Sequence, residues 1–270
     1  MSPSHPIKPN ADALMGPAAI SAFAIPGLLD GFGGRTGGVS EGAFATFNLA
    51  DWIGDKPESV TENWRRWNVR YPETAVVRVS QVHGTLVRRI DEPKDAFRED
   101  GQRREGDGMV TAAAGLVLGI FTADCVPILM VDNDRHVAAA LHAGWRGTLG
   151  GIAAEGVRAM TALGASPTAI RAALGPSIGI CCFEVDTALA EDFTRRIPGA
   201  DGHTRRGRPG KAHLDLRGLI RDQLQRKGLA LGSIANAGPC TRCANDTYFS
   251  RRGAGGATSG LQMSFIGFTE

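Results

Sequence analysis

Apolar positions along the chain follow two periods. Between Leu149 and Leu163 they recur at three- and four-residue steps, at Leu149, Ile152, Ala153, Gly156, Val157, Met160 and Leu163. That spacing lines one face of a helix, and Gly164 stands where a glycine ends one. Asp55-Lys56-Pro57-Glu58 predicts a second helix that runs to about Val69, with Asp55 as its N-cap. A third is predicted over Leu214–Lys227, stopping at Gly228. Short apolar runs predict strands at Ala75–Ser80, Leu116–Phe121, Val126–Val131, Val137–Leu141, Ala169–Leu174 and Leu231–Ala237.

The stretch from Ala112 to Val131 would pass a hydropathy filter for a membrane span. Asp124 near its middle would cost ~2.5–3.5 kcal/mol in a bilayer, and Pro127 interrupts a helix. It reads instead as two buried strands joined by a polar corner. Residues 91–107 carry five acids and three arginines between Asp91 and Arg104, which predicts a solvated loop. The Gly/Arg-rich residues 199–210 predict a mobile surface loop. With no internal repeat and no long linker, these elements predict one α/β domain with mixed strands. Its bounds are residues 19–270, preceded by a loose leader at 1–18.

Composition narrows the class. Lys plus Arg is 30 and Asp plus Glu is 28, a net +2 that offers no clustered basic footprint for nucleic acid. Hydrophobic residues at 43% and charged residues at 21% suit a folded enzyme rather than a disordered chain. Glycine is abundant, 36 of 270 residues against a usual ~7%, which predicts tight turns and close backbone approaches. The apolar stretch Ala13–Leu29 is interrupted by Gly16, Pro17 and Pro26 and follows a single Lys8, a poor match to a signal peptide. Five cysteines, two of them adjacent, suit reduced thiols. The expected location is therefore the cytoplasm, with no membrane partner.

Three soft or borderline donors follow strand-like segments: His83, Cys125 and His142. Two His and one Cys suit a catalytic zinc site, which keeps a fourth position open. Copper accepts the same donors, and the long spacings match no short-range signature. On these residues alone each histidine reads more readily as a surface or hydrogen-bonded group than as a ligand. Cys240 and Cys243 form a C-x-x-C. A structural zinc would need a second pair, which the adjacent Cys181-Cys182 is not expected to supply, so these four read as spectator thiols. Arg35 and Arg146 follow glycine-rich turns, where a planar cation and open backbone suit phosphate or carboxylate. Asp124, a carboxylate inside an apolar stretch, needs a partner or a proton.

Several ordered motifs resemble a known family. They are Gln81-Val82-His83-Gly84, Thr122-Ala123-Asp124-Cys125-Val126-Pro127, His142-Ala143-Gly144-Trp145-Arg146-Gly147, Leu174-Gly175-Pro176-Ser177-Ile178-Gly179 and a closing Pro239-Cys240-Thr241 with Asn245-Asp246-Thr247-Tyr248-Phe249-Ser250. Over residues 30 to 268 the chain is similar to the laccase-domain or multicopper polyphenol oxidoreductase-like family, described as purine nucleoside phosphorylases and as peptidoglycan editing factors. The resemblance implies a single layered α/β domain with mixed β-sheets flanked by helices, unrelated to cupredoxin laccases. It implies zinc, with copper as the alternative, held by His83, Cys125 and His142. It also implies phosphorolysis of adenosine, inosine and methylthioadenosine, with adenosine deamination beside it; nucleoside and phosphate are the expected partners. Arg35-Thr36-Gly37-Gly38-Val39-Ser40 matches a family arginine–glycine turn, making Arg35 and Ser40 candidate substrate contacts. Asp124 is the candidate for proton transfer, and Arg146 for holding phosphate. The chain departs from the family at Gly33-Gly34, before the first arginine, and near Arg251-Arg252, which bears on substrate contacts rather than on the metal.

Two other chemistries fit the same donors: a copper-dependent polyphenol oxidase and a hydrolase editing peptidoglycan precursors. Efficient oxygen reduction by blue laccases uses several coppers and many histidines. This chain has six, of which His5 and His203 fall in segments expected to be disordered.

Overall fold

The computed structural model describes residues 19–72 and 74–269, so the expected leader at residues 1–18 lies outside the described part. The elements run β1 (Leu28–Phe32), α1 (Pro57–Arg70), β2 (Ala75–Val77), β3 (Val87–Arg89), β4 (Gly108–Thr111), β5 (Leu116–Thr122), β6 (Val126–Asp132) and β7 (Val137–Ala143). They continue α2 (Trp145–Gly150), α3 (Ile152–Ala162), β8 (Arg171–Leu174), β9 (Glu184–Asp186), α4 (Thr187–Arg196), β10 (Thr204–Arg206), β11 (Lys211–Leu214), α5 (Leu216–Arg226), β12 (Ile234–Asn236) and β13 (Gln262–Phe268).

Two sheets form the centre. One has the order β1-β13-β5-β2, the other β12-β8-β6-β7-β4-β3, and both mix parallel with antiparallel pairs. They pack face to face. Leu118, Ile120 and Ile266 of the first meet Met109, Leu129, Val131, Ala138 and Ala140 of the second. The outer face of the second sheet, through Ile128, Met130 and Leu141, is covered by α3 and α5 through Ile152, Val157, Leu219 and Leu224. The outer face of the first, through Val117, Phe121 and Phe265, lies under Trp67 of α1 and under Phe47 and Leu49. Both central sheets are thus buried on two faces, which explains the unbroken apolar runs of β5 and β6. The predicted pair of strands is present, but they belong to different sheets. Ala123-Asp124-Cys125 is the crossing between layers.

Several local expectations change. The helix expected from Leu149 begins at Trp145 and is broken at Gly151 (φ 87°), so it forms as α2 and α3; Gly164 (φ 94°) ends it as predicted. Helix α1 is capped by Lys56, not Asp55. The Asp55 carboxylate instead takes hydrogen bonds from the Ser40 hydroxyl, 2.7 Å, and the Asn48 amide, 2.9 Å. Residues 199–210 are not a free loop: β10 and β11 form a hairpin that β9 extends into a small third sheet. His203, expected to be disordered, lies 2.8 Å from Asp222. Leu231–Ala237 is strand only over β12, after a 3-10 turn at Leu231–Ser233. Among the described residues no helix is long and apolar enough to cross a membrane.

Leu118 has no exposed surface and sits between the two central sheets. Replacing it with alanine should cost about 2–5 kcal/mol of stability, because a rigid two-sheet interface cannot close over the lost volume. Urea unfolding measures this, and a loss below about 1 kcal/mol would mean that the interface is loose.

Candidate metal centre and cavity

The site forms where the crossing between sheets meets the ends of β7 and the loop after β2. Asp107, directly before β4, organises it. Its carboxylate is fully buried and takes hydrogen bonds from the backbone N–H of His83 (2.8 Å), Gly84 (2.6 Å) and Val82 (3.3 Å). The same carboxylate lies 2.8 Å from Nδ1 of His142, and the Asp107 carbonyl accepts the His142 N–H at 2.7 Å. Burial alone would raise the pKa of Asp107. The His142 ring and the N–H groups of Gly84 and His83 outweigh it and hold the group below the usual carboxylate range. An ionised Asp107 fixes one proton of His142 on Nδ1, so Nε2 is the nitrogen that a bound metal would take in place of its second proton.

Gln81 positions the other side of the loop. Its amide donates to the Phe121 carbonyl and accepts from the Phe121 N–H, both at 2.8 Å, so a side chain stands in for a neighbouring strand at the end of β5. His83 follows with a left-handed backbone (φ 62°), as does Asp124 (φ 95°), a costly conformation for these residues that tends to cluster at working sites. The ligating atoms of His83, Cys125 and His142 lie within 4.8 Å of one another. A Cβ on Gly144 would stand 3.0 Å from the Cys125 sulfur and 3.1 Å from the His83 ring, so a side chain here would crowd two of the donors. Burial works against ionisation of Cys125, but the neighbouring His142 and His83 bring its pKa down to about 6. Burial likewise opposes charge on His142, yet Cys125 and Asp107 push it up to about 9. The donor set therefore carries a thiolate at neutral pH, as a borderline-soft cation requires.

The three donors open on a cavity of about 860 Å³. Trp52, Phe97 and Phe121 line it, together with Arg78, Arg103 and Arg251. Arg78 is held by both carboxylate oxygens of Asp51, 2.7 and 2.8 Å, and lies over Trp52, 4.2 Å from the ring centre. Arg103 reaches the Arg78 carbonyl at 3.3 Å; burial and then the charge of Arg78 lower its pKa, an environment that favours an added anion. Among the described residues Arg251 makes no ion pair. Thr122 also lines the cavity, with its buried hydroxyl unpartnered among the described residues.

The predicted metal ligands are thus brought together, but the predicted substrate contacts are not. Arg35 donates to the carbonyls of Ala45 and Asn245, each at 2.7 Å, tying two loops together away from the cavity wall. Ser40 is buried against Asp55 and Asn63. Arg146 is exposed and lies over its neighbour Trp145. The Asp124 carboxylate accepts from the hydroxyls of Thr241 (2.7 Å) and Ser250 (2.6 Å) and from the Arg252 N–H (2.6 Å). Those three donors occupy the carboxylate, a geometry of anchoring rather than of proton transfer. Asp107 carries little signal in the sequence, because it closes the acidic run that predicts a solvated loop. Its only signal was position, directly before the apolar β4. The cysteines expected to be spectators also change status: Cys181, Cys182, Cys240 and Cys243 have their sulfurs within 4.8 Å of one another. Adjacent cysteines do supply the second pair, because they stand in a turn rather than a strand.

Residues 30–269 match the family described as multi-copper polyphenol oxidoreductase laccase. A purine nucleoside phosphorylase of Mycobacterium tuberculosis is 40% identical over 220 residues, 81% of this chain and 84% of the relative. Adenosine deaminase RL5, from an unknown prokaryotic organism, is 37% identical over 219 residues, 79% of this chain and 84% of the relative. The crystal structure of YlmD from Geobacillus stearothermophilus superposes with a TM-score of 0.84 at 33% identity, covering 92% of this chain and 94% of that one.

Asp107→Asn keeps the shape but loses the charge, and should weaken metal affinity by roughly 10- to 100-fold in a chelator competition. Unchanged affinity would remove Asp107 from its orienting role. In metal-stripped protein, alkylation of Cys125 followed by peptide mass should rise with a midpoint near pH 6, since the folded thiol loses its proton there. His142→Ala should move that midpoint upward.

Proposed function

The chain belongs to the multi-copper polyphenol oxidoreductase laccase family, and from that membership we propose that it is a zinc-dependent purine nucleoside phosphorylase acting on adenosine, inosine and methylthioadenosine. The observation that carries the reading is the convergence of His83, Cys125 and His142 on a cavity walled by aromatic rings and arginines. Two histidines and a thiolate fit zinc. When bound, zinc supplies Lewis acidity and an open coordination position. The relatives named purine nucleoside phosphorylase support the substrate class.

Phosphorolysis bonds a phosphate oxygen to the anomeric carbon while the bond from sugar to base breaks, its electron pair leaving with the purine. The chain's own groups suit both partners. The cavity is of the size that encloses a small ligand, and Trp52, Phe97 and Phe121 offer flat apolar surface for a purine. Arg251 and Arg103 offer planar donors for two phosphate oxygens, whereas the charge of Arg78 is already matched by Asp51. Asp107 keeps His142 oriented, and Asp124 keeps the segment bearing Arg251 against the site. Adenosine deamination, the activity named for one relative, would use the same pocket with water in place of phosphate. Copper oxidation of phenols is less well supported, because among the described residues only two histidines reach this centre.

Hypoxanthine release from inosine should depend on phosphate, and its absence at every phosphate concentration would overturn the proposal. Arg251→Ala should raise the phosphate KM and lower kcat/KM by roughly 10²-fold with metal content unchanged. Adenosine deamination should fall much less. Arg35→Ala, which unties two loops, should instead depress both activities together.

A further inference from the structure

Four cysteines make a second donor cluster apart from the cavity. Two of them follow β8, in a turn where the N–H groups of Cys182 and Phe183 both donate to the Gly179 carbonyl at 2.9 Å. The other two follow β12, in a turn closed by the Ala244 N–H to the Cys240 carbonyl, also 2.9 Å. β12 lies parallel to β8, and the pairing continues past both strands as a bridge between Ser177 and Cys240. Two turns therefore leave one sheet edge side by side in the same direction, and their sulfurs meet. Cys243 is nearly equidistant from Cys182 (3.5 Å) and Cys181 (3.7 Å), and no two of the five cysteines are bonded to each other.

We propose that Cys181, Cys182, Cys240 and Cys243 bind one zinc-class divalent cation as a tetrathiolate site. A tetrahedral centre with metal–sulfur bonds of about 2.3 Å separates its sulfurs by about 3.8 Å, close to the two shortest spacings here and inside the 4.8 Å limit of the group. A disulfide would join one pair and leave two thiols without a role, whereas one cation uses all four. Thiolate ligands also select zinc over hard cations such as magnesium and calcium.

The surroundings suit a negatively charged centre. The Gly179 N–H donates to the Cys240 sulfur at 3.3 Å. The Arg217 guanidinium packs against Gly179, where a Cβ would stand 3.4 Å from it and 3.3 Å from the Cys181 sulfur. Cys181 and Cys243 are exposed, which leaves a route for the cation. The consequence is mechanical. The site fastens the start of the segment 240–252 to the turn between β8 and β9. That segment carries Thr241, Ser250 and Arg252, which hold Asp124 beside Cys125, and it brings Arg251 to the cavity wall.

Elemental analysis of the full chain should find two zinc equivalents, one of them lost in Cys181→Ser/Cys243→Ser and the other in Cys125→Ala. Cobalt loaded into Cys125→Ala should give the intense thiolate-to-cobalt absorption of a tetrathiolate, a readout that needs no activity. Should the double variant fold poorly, the unsubstituted protein still decides: chelation should expose four further reactive thiols, mapped to Cys181, Cys182, Cys240 and Cys243, with release of that zinc. Full metal retention in a folded double variant would overturn the proposal. So would a disulfide among these four in freshly purified protein, or cobalt spectra lacking the thiolate bands. None of these outcomes bears on the His83, Cys125 and His142 site, whose metal is lost separately.

Discussion

A single buried carboxylate holds the site together. Asp107 has no exposed surface, so its charge has to be met inside the protein, and the chain meets it with three consecutive N–H groups and an imidazole. Leaving such a group unmatched costs several kcal/mol. The loop at Val82-His83-Gly84 and the end of β7 are thus bound to one point. Two histidines separated by 59 positions in the chain become neighbours, with ring centres 4.8 Å apart. The negative charge then reaches beyond the hydrogen bonds, since it favours the protonated His142 that in turn draws the Cys125 proton away.

The third donor arrives by another route. β5 and β6 are each buried on both faces in different sheets, so the residues between them must turn within the interior. Polar groups at that turn need partners, and Asp124 finds them in Thr241, Ser250 and Arg252. The carboxylate that interrupts the apolar run is thereby an anchor for the C-terminal segment, and its neighbour Cys125 is aimed at the histidines. Arg35 works in the same sense from the other side, linking the loop before α1 to Asn245. Much of the polar chemistry visible in the motifs positions backbone, while the groups facing the cavity are less conspicuous residues such as Trp52, Arg103 and Arg251.

Patterns along the chain establish an α/β class with mixed strands, the main buried strands, the helical face around Val157 and the three soft donors. These follow from local rules: periodicity, turn chemistry and the scarcity of His and Cys. Local rules could not decide which sheet a strand joins, because a strand buried on both faces reads alike in either one. They could not separate Asp107 from the six acids before it in the run from Asp91 to Glu105, since a carboxylate is buried only by what folds around it. They also favoured arginines beside glycines, whereas Arg35 and Arg146 turn away from the cavity and Arg251, which stands out only as part of a departure from the family pattern, faces it. The four cysteines make the same point. Spacing along the chain argued against a cluster, and only the parallel pairing of β12 with β8 carried two distant turns to one edge. Tertiary structure decided each of these because the deciding partner lies far away in the chain.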